Sequence, residues 1–264
     1  MSLVTIDARR SPLAHVNALA KFVATLLIGV ALMLSIDPVS AGVSLVLTLA
    51  VLPFARLGFV DLWRRAWPIA AAAAVASAAT VLYGRPAGQM YVEWGILRIS
   101  DGSIDLALAI LLRVLAIALP AVVLLSTTDP TDLADALGQI VRLPARFVLG
   151  ALAGLRLVGL LISDWREMSL ARRTRGVADH GRLRRFLGMA FALFVLAIRR
   201  GTHLATAMEA RGFGADPREV RRTWARPSVL RLRDGALVLI AAAIAAASVI
   251  AAVATGAWTF ILTL

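Results

Sequence analysis

The chain has 264 residues, of which 60% are hydrophobic and 17% are charged, and its mean hydropathy is +0.82. This balance is typical of a protein that lies in lipid, and it argues against an ordinary soluble domain. The formal net charge of +12 does not indicate nucleic-acid binding, because the basic residues are interleaved with apolar runs of membrane-spanning length.

Five apolar segments are long enough to predict membrane-spanning helices. They cover residues 18–36, 40–55, 66–83, 106–127 and 235–264. A membrane β-barrel would instead need segments of about ten residues with alternating hydrophobicity. The sequence therefore predicts an all-α polytopic membrane protein with about five transmembrane helices.

Arginine and lysine in the short connections predict the orientation, because cytoplasmic loops retain these residues. The N-terminal segment carries Arg9, Arg10 and Lys21, the next connection carries neither type, and the third carries three arginines. The connection over residues 84–105 has a net charge of −1, which suits the outer face. This alternation predicts a multi-pass protein of the bacterial cytoplasmic (inner) membrane with a cytoplasmic N-terminus. Arg113 lies well inside a predicted span, where snorkelling toward the outer surface is favoured over a functional pairing.

Most of the positive charge lies in one block. Residues 163–235 hold 16 arginines and seven acidic residues, which accounts for +9 of the total. The short apolar segments 145–162 and 186–198 are interpreted as parts of long amphipathic helices at or under the membrane, and a hairpin of two real spans is the alternative. The predicted parts are N-terminal transmembrane helices (1–127), cytoplasmic or interfacial helices (128–234) and a C-terminal transmembrane helix (235–264).

A short cytoplasmic helix is predicted to begin within residues 128–132, which read Thr-Asp-Pro-Thr-Asp. Asp129 can accept from the first free backbone amides, Pro130 suits the first helical position, and Asp132 favours a helix N-terminus. The helix is predicted to end just before Pro144, because proline disfavours helix in the residue that precedes it.

The sequence shows no cluster of catalytic or metal-binding residues. The histidines His15, His180 and His203 are far apart and lack the spacing of a zinc motif, so they are interpreted as surface or interface residues. The chain has no cysteine and therefore no thiolate metal site. It also has no Gly-x-x-x-x-Gly-Lys phosphate loop, so energy from ATP must come from a partner. We predict no catalytic residue, no metal site and no cofactor.

A short motif occurs twice in the basic block. Residues 171–177 read Ala-Arg-Arg-Thr-Arg-Gly-Val, and residues 207–213 read Ala-Met-Glu-Ala-Arg-Gly-Phe. Both copies end a helical pattern, as glycine commonly does, so Arg175 and Arg211 are each expected at a helix tip. A guanidinium there can form bidentate bonds with a carboxylate of another protein. The alternative is that Arg-Gly is common in an arginine-rich chain and that these residues only follow the positive-inside rule.

Two Ala-x-x-x-Arg-Gly copies 36 positions apart, after four predicted spans and before a last one, resemble the T component of energy-coupling factor (ECF) transporters. That component is the transmembrane scaffold subunit of this class. Residues 11–21 resemble the family's N-terminal motif, and residues 127–144 resemble its central loop. The resemblance covers nearly the whole chain. It departs at Ala18, where the family often has proline, and at His15, which is displaced by one position.

The resemblance implies a non-catalytic subunit that joins two ATP-binding cassette ATPase subunits to a small substrate-binding membrane (S) subunit, for uptake of a vitamin or a metal ion. The implied ATPase-docking residues are Ala171, Arg175, Gly176, Ala207, Arg211 and Gly212. Closing of the ATPases would move the two helices that carry these residues. Leu204 and Met208 are candidates for contact with the S subunit, because methionine tolerates repacking. Ordinary helix packing is the alternative for that stripe.

Two other functions compete with this interpretation. A polytopic membrane enzyme acting on a lipid-linked or phosphorylated substrate would use the arginine block to bind phosphate, but the acidic residues are dispersed. A stand-alone permease should show polar residues at mid-membrane, and the predicted spans have few. We therefore expect a non-catalytic protein whose partners are the bilayer, the ATPases and an S subunit, with no nucleic acid.

Overall fold

The computed structural model describes residues 12–55, 58–84, 88–94, 97–176, 181–213, 224 and 226–257. Within them the chain forms eight α-helices and one antiparallel two-stranded sheet. The helices are α1 (Ala18–Met33), α2 (Pro38–Val51), α3 (Phe59–Tyr83), α4 (Asp101–Ser126), α5 (Pro130–Gln139), α6 (Ala145–Thr174), α7 (Arg182–Ala210) and α8 (Leu232–Ala254). The strands are β1 (Met90–Trp94) and β2 (Leu97–Ser100).

Six segments of the described chain are long and apolar enough to cross a membrane. They are Pro38–Ala55, Leu62–Tyr83, Asp101–Ser126, Ala145–Thr174, Leu183–Ala210 and Leu232–Ala254. The prediction of an all-α polytopic membrane protein is confirmed. Two of the six belong to α6 and α7, which the sequence analysis places at or under the membrane. Length and composition allow either location, so that placement remains a prediction.

The first predicted span forms a short helix in the structure. Helix α1 has 16 residues and rises about 24 Å, whereas the hydrocarbon core of a bilayer is about 30 Å thick. Leu34 caps the helix, and the chain turns into α2 at Asp37. Polar groups at both ends of α1 must therefore be satisfied by protein rather than by water.

Contacts within the chain divide it into two compact units. One comprises Met1–Leu133 with Val229–Leu264, and the other comprises Ala134–Ser228. The first unit contains α1 to α4, the β-hairpin and α8, and the second contains α6 and α7. The predicted boundaries at residues 127 and 234 describe location relative to the membrane, so this division leaves them as a prediction.

The core of the first unit lies between α1, α4 and α8. Ala24, Ile28 and Leu32 of α1 pack with Ala116 of α4 and Ile244 of α8, and all five are buried. Alanine at such positions lets helix backbones approach closely, which is how helices associate in lipid. Shape and close packing, rather than large apolar side chains alone, hold this unit together.

Lys21, the only lysine of the chain, is buried in this unit with 2% of its surface exposed. Its Nζ donates a hydrogen bond of 2.9 Å to the carbonyl oxygen of Thr127, at the end of α4. Asp132 and Asp234 are the acids whose charges act on it. Lys21 thus joins α1 to the carboxyl end of α4. The side chain packs inward at the start of α1, and the orientation of the N-terminus remains a prediction.

Asp234 makes a second link at the same end of α1. It is 3% exposed, and its Oδ1 accepts from the amide of Asn17 at 2.7 Å, while its Oδ2 accepts from the amide of Arg231 at 2.6 Å. Asn17 in turn caps α1 through a bond from the amide of Leu19 to its Oδ1 at 2.9 Å. One carboxylate therefore serves the N-termini of both α1 and α8, where free backbone amides attract negative charge.

The opposite end of α1 is closed by Asp37, which is buried at the start of α2. Its carboxylate accepts bonds from the Ser40 amide and from the hydroxyls of Ser35 and Ser40. Asp37 is also the acid whose charge acts on Arg113. The Nε and Nη2 atoms of Arg113 are buried and have no hydrogen-bond partner among the described residues. These two nitrogens do not reach the surface, in contrast to the snorkelling that the sequence favours.

The sheet was not expected from the sequence, which predicts only a connection over residues 84–105. Met90 pairs with Ser100 and Trp94 with Leu97, with an irregularity after Met90. Asp101 holds the hairpin to α4, since its Oδ2 accepts from the Gln89 amide and its own amide donates to the Gln89 carbonyl. A hydrogen bond between the side chains of Tyr91 and Asp101, together with the negative charge of Asp101, raises the pKa of Tyr91. Ser100 and Ser103 cap α4 reciprocally.

The start of α5 is predicted correctly, and its end is not. Pro130 is the first residue of the helix, and the amide of Thr131 donates to Asp129 Oδ1 at 2.8 Å. The helix ends at Gln139, several residues before Pro144, and Arg142 adopts a positive φ of 61°. The Gln139 side chain bonds the Arg226 carbonyl and the Ser228 amide, so it serves a contact across the sequence rather than the helix.

Replacing Asp234 with alanine should lower stability more than replacing Asp129 with alanine. Asp234→Ala leaves two partly buried amides without their acceptor and removes a buried charge that acts on Lys21, which should cost about 3 kcal/mol. Asp129→Ala removes one exposed cap bond and should cost about 1 kcal/mol. Thermal unfolding of both variants in detergent compares the two costs. Equal shifts of the midpoint would show that the Asp234 link does not hold α1 and α8 together.

Candidate functional site

The two Arg-Gly copies end helices, as predicted. Helix α6 ends at Thr174 and is capped by Arg175, and α7 ends at Ala210 and is capped by Arg211. The glycines that follow have φ values of +66° at Gly176 and +76° at Gly212. Only glycine adopts this left-handed conformation without strain, so the glycine is what stops each helix directly after the arginine.

The backbone at the end of α7 forms a complete Schellman motif. The amide of Phe213 donates to the Met208 carbonyl at 3.0 Å, and that of Gly212 donates to the Glu209 carbonyl at 2.9 Å. At the end of α6 the amide of Gly176 makes the matching bond to the Arg173 carbonyl at 3.1 Å. The two ends, named here the Arg-Gly ends, therefore share their local backbone geometry.

A third helix shows that this cap is not in itself a docking device. Helix α8 ends in the same way, with Gly256 at a φ of +67° and an Ala257 amide bonded to the Ala252 carbonyl at 3.1 Å. There the capping residue is Thr255. What distinguishes the two Arg-Gly ends is the guanidinium that the cap holds at the last turn.

The predicted docking residues are open to a partner. The arginine and glycine of both motifs are exposed: Arg175, Gly176, Arg211 and Gly212. The alanines that begin the two motifs, Ala171 and Ala207, are exposed too. Each alanine lies four residues before its arginine and hence on the same face of the helix. Among the described residues, neither arginine side chain forms an ion pair or a hydrogen bond. Each end presents a charged fork beside a small residue that leaves room for an approaching surface.

The other predicted contact residues, Leu204 and Met208, are half-buried. Both lie on α7, and they are four residues apart, or about one helical turn, as Ala207 and Arg211 are. The structure thus brings the stripe of α7 to its Arg-Gly end, but it tests no role for these two residues.

An ion pair and an aromatic pair join helices α6 and α7. Arg200 of α7 forms a bidentate pair with Asp164 of α6, with Nη1 bonded to Oδ2 and Nη2 to Oδ1, the latter at 3.0 Å. The rings of Trp165 and Phe186 meet edge to face with 5.5 Å between centroids. Beside them is an open cavity of about 380 Å³ with mostly apolar walls.

Much of the remaining surface of α6 and α7 is apolar and exposed. The large exposed side chains are Phe147, Leu155, Val158, Leu160, Ile162, Leu170, Leu183, Phe186, Leu187, Phe191, Phe194, Val195 and Ile198. Monomeric soluble proteins rarely expose apolar patches of this extent. These two helices therefore need lipid or another protein to cover them.

The pair of Asp164 and Arg200 was not predicted from the sequence. A signal was present, because these residues are 36 positions apart, the same separation as the two copies of the Arg-Gly motif. Equivalent positions before the two Arg-Gly motifs can thus pair with each other even where their residue types differ.

The histidines do not form a site in the described structure. His15 lies exposed in a short 3₁₀ turn (Pro12–His15), and His203 is exposed on α7. His180 lies outside the described residues. No group of three or more His, Asp or Glu residues that could hold a metal ion occurs in the described part of the chain.

Comparison with known proteins gives one family match. The model of a family described as CbiQ, cobalt transport protein, matches residues 9–221. The energy-coupling factor transporter transmembrane protein EcfT of Limosilactobacillus fermentum is 33% identical over 160 residues, which are 55% of this chain and 60% of the relative. The proteins of the same name from Staphylococcus aureus and Exiguobacterium sibiricum are each 30% identical, over 56% and 60% of this chain and 58% and 63% of their own lengths. The chain thus spans about 60% of the length of the curated relatives it matches.

Gly176→Ala should destabilise the end of α6, whereas Gly154→Ala should stabilise the middle of the same helix. Alanine in the left-handed region costs about 1–2 kcal/mol. Gly154 has helical geometry and nothing within 4 Å of an added Cβ, so alanine there should gain about 0.5–1 kcal/mol. Amide hydrogen exchange of the purified chain checks this, with faster exchange expected over residues 171–176 only in Gly176→Ala. Equal protection in the two variants would show that the left-handed cap does not hold the helix end.

Proposed function

This chain belongs to the CbiQ family of cobalt transport proteins, and from that membership we propose that it is the transmembrane scaffold, or T component, of an energy-coupling factor importer. In this role it is a non-catalytic subunit that couples ATPase movement to uptake of a vitamin or a metal ion. The names of the EcfT relatives and the resemblance of the Arg-Gly motifs support this proposal.

One observation carries the proposal. Two exposed arginines, Arg175 and Arg211, each stand at a glycine-terminated helix end, and the two helices are joined by a bidentate ion pair. A guanidinium fixed at a helix end can bind a carboxylate with two parallel hydrogen bonds, which lysine cannot match. Two equivalent anchors suit two copies of one type of partner, and we assign one ATP-binding cassette ATPase subunit to each.

Coupling follows from stiffness and attachment. Helices α6 and α7 have 30 and 29 residues, so each is a rod of roughly 45 Å. When the two ATPases close on ATP, the Arg-Gly ends move with them, and each rod carries that movement along its length. The chain itself needs no catalytic group for this task.

We assign the exposed apolar faces of α6 and α7 to the S subunit and to lipid. The exposed side chains there are large and apolar, and Met208 lies beside them half-buried. A small membrane protein that packs on these faces would be displaced when the two helices move. Choice of substrate then lies in the S subunit, so that this scaffold serves a vitamin or a metal ion without contacting either.

The chain is a multi-pass membrane protein, and we propose that its N-terminus faces the cytoplasm. The connections alternate in charge, and this pattern is kept without Lys21 because Arg9 and Arg10 remain. The hairpin of β1 and β2 then lies outside, and the Arg-Gly ends lie inside, where the ATPases are.

Removing both motif arginines should abolish capture of the ATPases. The tagged chain is purified from native membranes in detergent, and the proteins that accompany it are identified. Arg175→Ala with Arg211→Ala should weaken the association about 30-fold or more, as expected for interface arginines that dominate binding. Each single variant should keep one ATPase and lose the second.

The matched control is Arg173→Ala with Arg199→Ala, which removes two exposed positive charges from the same two helices. This control should retain both ATPases, since neither residue holds a helix-capping position. The scaffold function is wrong if the well-folded wild-type chain brings down no ATPase. The docking residues are wrong if control and test variants lose the ATPases equally.

A single cysteine reports the orientation, because the natural chain has none. Tyr91 lies exposed on the hairpin, and Thr174 lies exposed at the end of α6. The two test variants are therefore Tyr91→Cys and Thr174→Cys. A membrane-impermeant maleimide added to spheroplasts should label the first, and it should label the second only after the membrane is permeabilised. The reverse pattern would place the N-terminus outside.

A further inference from the structure

The ion pair between Asp164 and Arg200 lies at matched positions of the two helices. Each residue precedes the arginine of its own Arg-Gly end by 11 positions. In an α-helix that separation is about 16 Å along the axis. We propose that Asp164 and Arg200 are positioning residues that form the pivot of the coupling movement, with an arm of equal length on each helix. The inference rests on the proposed function, because the arms matter only if ATPases hold their ends.

The geometry of the pair suits a pivot. Both guanidinium nitrogens of the Arg200 fork bond to the two carboxylate oxygens of Asp164. A bidentate pair fixes direction as well as distance, because rotation of either group breaks one of the bonds. The Arg200 side chain has several rotatable bonds, so the helices can turn about this point while the guanidinium and the carboxylate stay bonded to each other. The pair therefore holds one point of each helix while their ends remain free to swing.

The surroundings of the pair make it costly to break. The Asp164 side chain is 12% exposed and that of Arg200 is 34% exposed. Neighbouring apolar residues such as Ile162 and Ile198 are exposed in this chain, and coverage of these faces by lipid or a partner would exclude water from the pair. With less water the attraction strengthens, and an isolated charge of either sign becomes unfavourable.

A role in stabilising the fold accounts for the ion pair less well than a role as a pivot. Partly buried ion pairs add little net stability compared with apolar residues of similar size, and their best-attested use is to fix the register between helices. A register point at equal distance from the two Arg-Gly ends converts displacement at one end into a matched displacement at the other. An apolar contact at the same place would not specify that point.

The test uses the complete complex with its ATPases and S subunit, reconstituted in liposomes. The variants are Asp164→Asn, Arg200→Gln and the exchange Asp164→Arg with Arg200→Asp. Arg199→Gln is the matched control, because it removes the neighbouring exposed charge from the same helix. Uptake per ATP hydrolysed is measured, together with the amount of ATPase bound. Spin labels on Thr174→Cys and Ala210→Cys, which directly precede the motif arginines, report the distance between the ends in a chain that has no other cysteine.

The pivot predicts that each single variant keeps its ATPases but loses about tenfold in uptake per ATP hydrolysed, within the range for residues that carry coupling. The distance distribution between the labels should broaden. The exchange should restore both the narrow distribution and the coupling, and Arg199→Gln should behave as wild type.

The inference is overturned if the single variants keep a narrow distribution and normal coupling, or if the exchange is no better than the single variants. Loss of bound ATPase in wild type would instead count against the proposed function. The label distances are measured in the purified chain as well, so they test the pivot whether or not ATPases bind.

Discussion

The interior of a bilayer offers no water to backbone amides or to charged side chains, and this constraint determines how the first unit is built. Its helices satisfy their own backbones, so the remaining difficulty lies at their ends. The starts of four helices of this unit have a side-chain partner. Asp234 serves the starts of α1 and α8, Asp37 serves the start of α2, and the pair of Ser100 and Ser103 serves the start of α4. Once these ends are closed, packing can rely on alanine and other small residues, and Lys21 can be buried because a helix-end carbonyl accepts a hydrogen bond from its ammonium group.

The second unit follows the opposite rule. Most of its large apolar side chains are exposed, and its two Arg-Gly ends hold charges that no described residue of the chain balances. A surface with these two properties is incomplete by itself. Lipid can cover the apolar faces, but it gives no reason for an arginine held by a left-handed glycine at two helix ends. Protein partners with acidic sites give such a reason, which is why the proposed function relies on the second unit and not on the first.

Sequence reasoning succeeds here where the signal is local. The apolar spans, the Asp129 and Pro130 start of α5 and the two Arg-Gly ends are each encoded in a few adjacent residues. It fails where the deciding partner is distant in the chain. The burial of Lys21 depends on Thr127, 106 positions later, and Asp164 pairs with a residue 36 positions later. The short strands are missed for another reason, since a hairpin of four and five residues has too few alternations to separate it from a loop. The end of α5 is misplaced as well: the helix ends at Gln139, whose side chain bonds Arg226 and Ser228 far along the chain.

The two Arg-Gly ends are alike in backbone but not in their charged neighbours. The three residues before Arg175 are Arg-Arg-Thr, whereas those before Arg211 are Met-Glu-Ala. One motif arginine thus follows two further arginines in the sequence, whereas the other follows a glutamate. The two copies of the motif therefore differ in charge, and the two helices also differ at their ion pair, where Asp164 of α6 meets Arg200 of α7. A dimer of identical subunits that bound both ends would meet two different fields, so its halves would cease to be equivalent on contact with this chain.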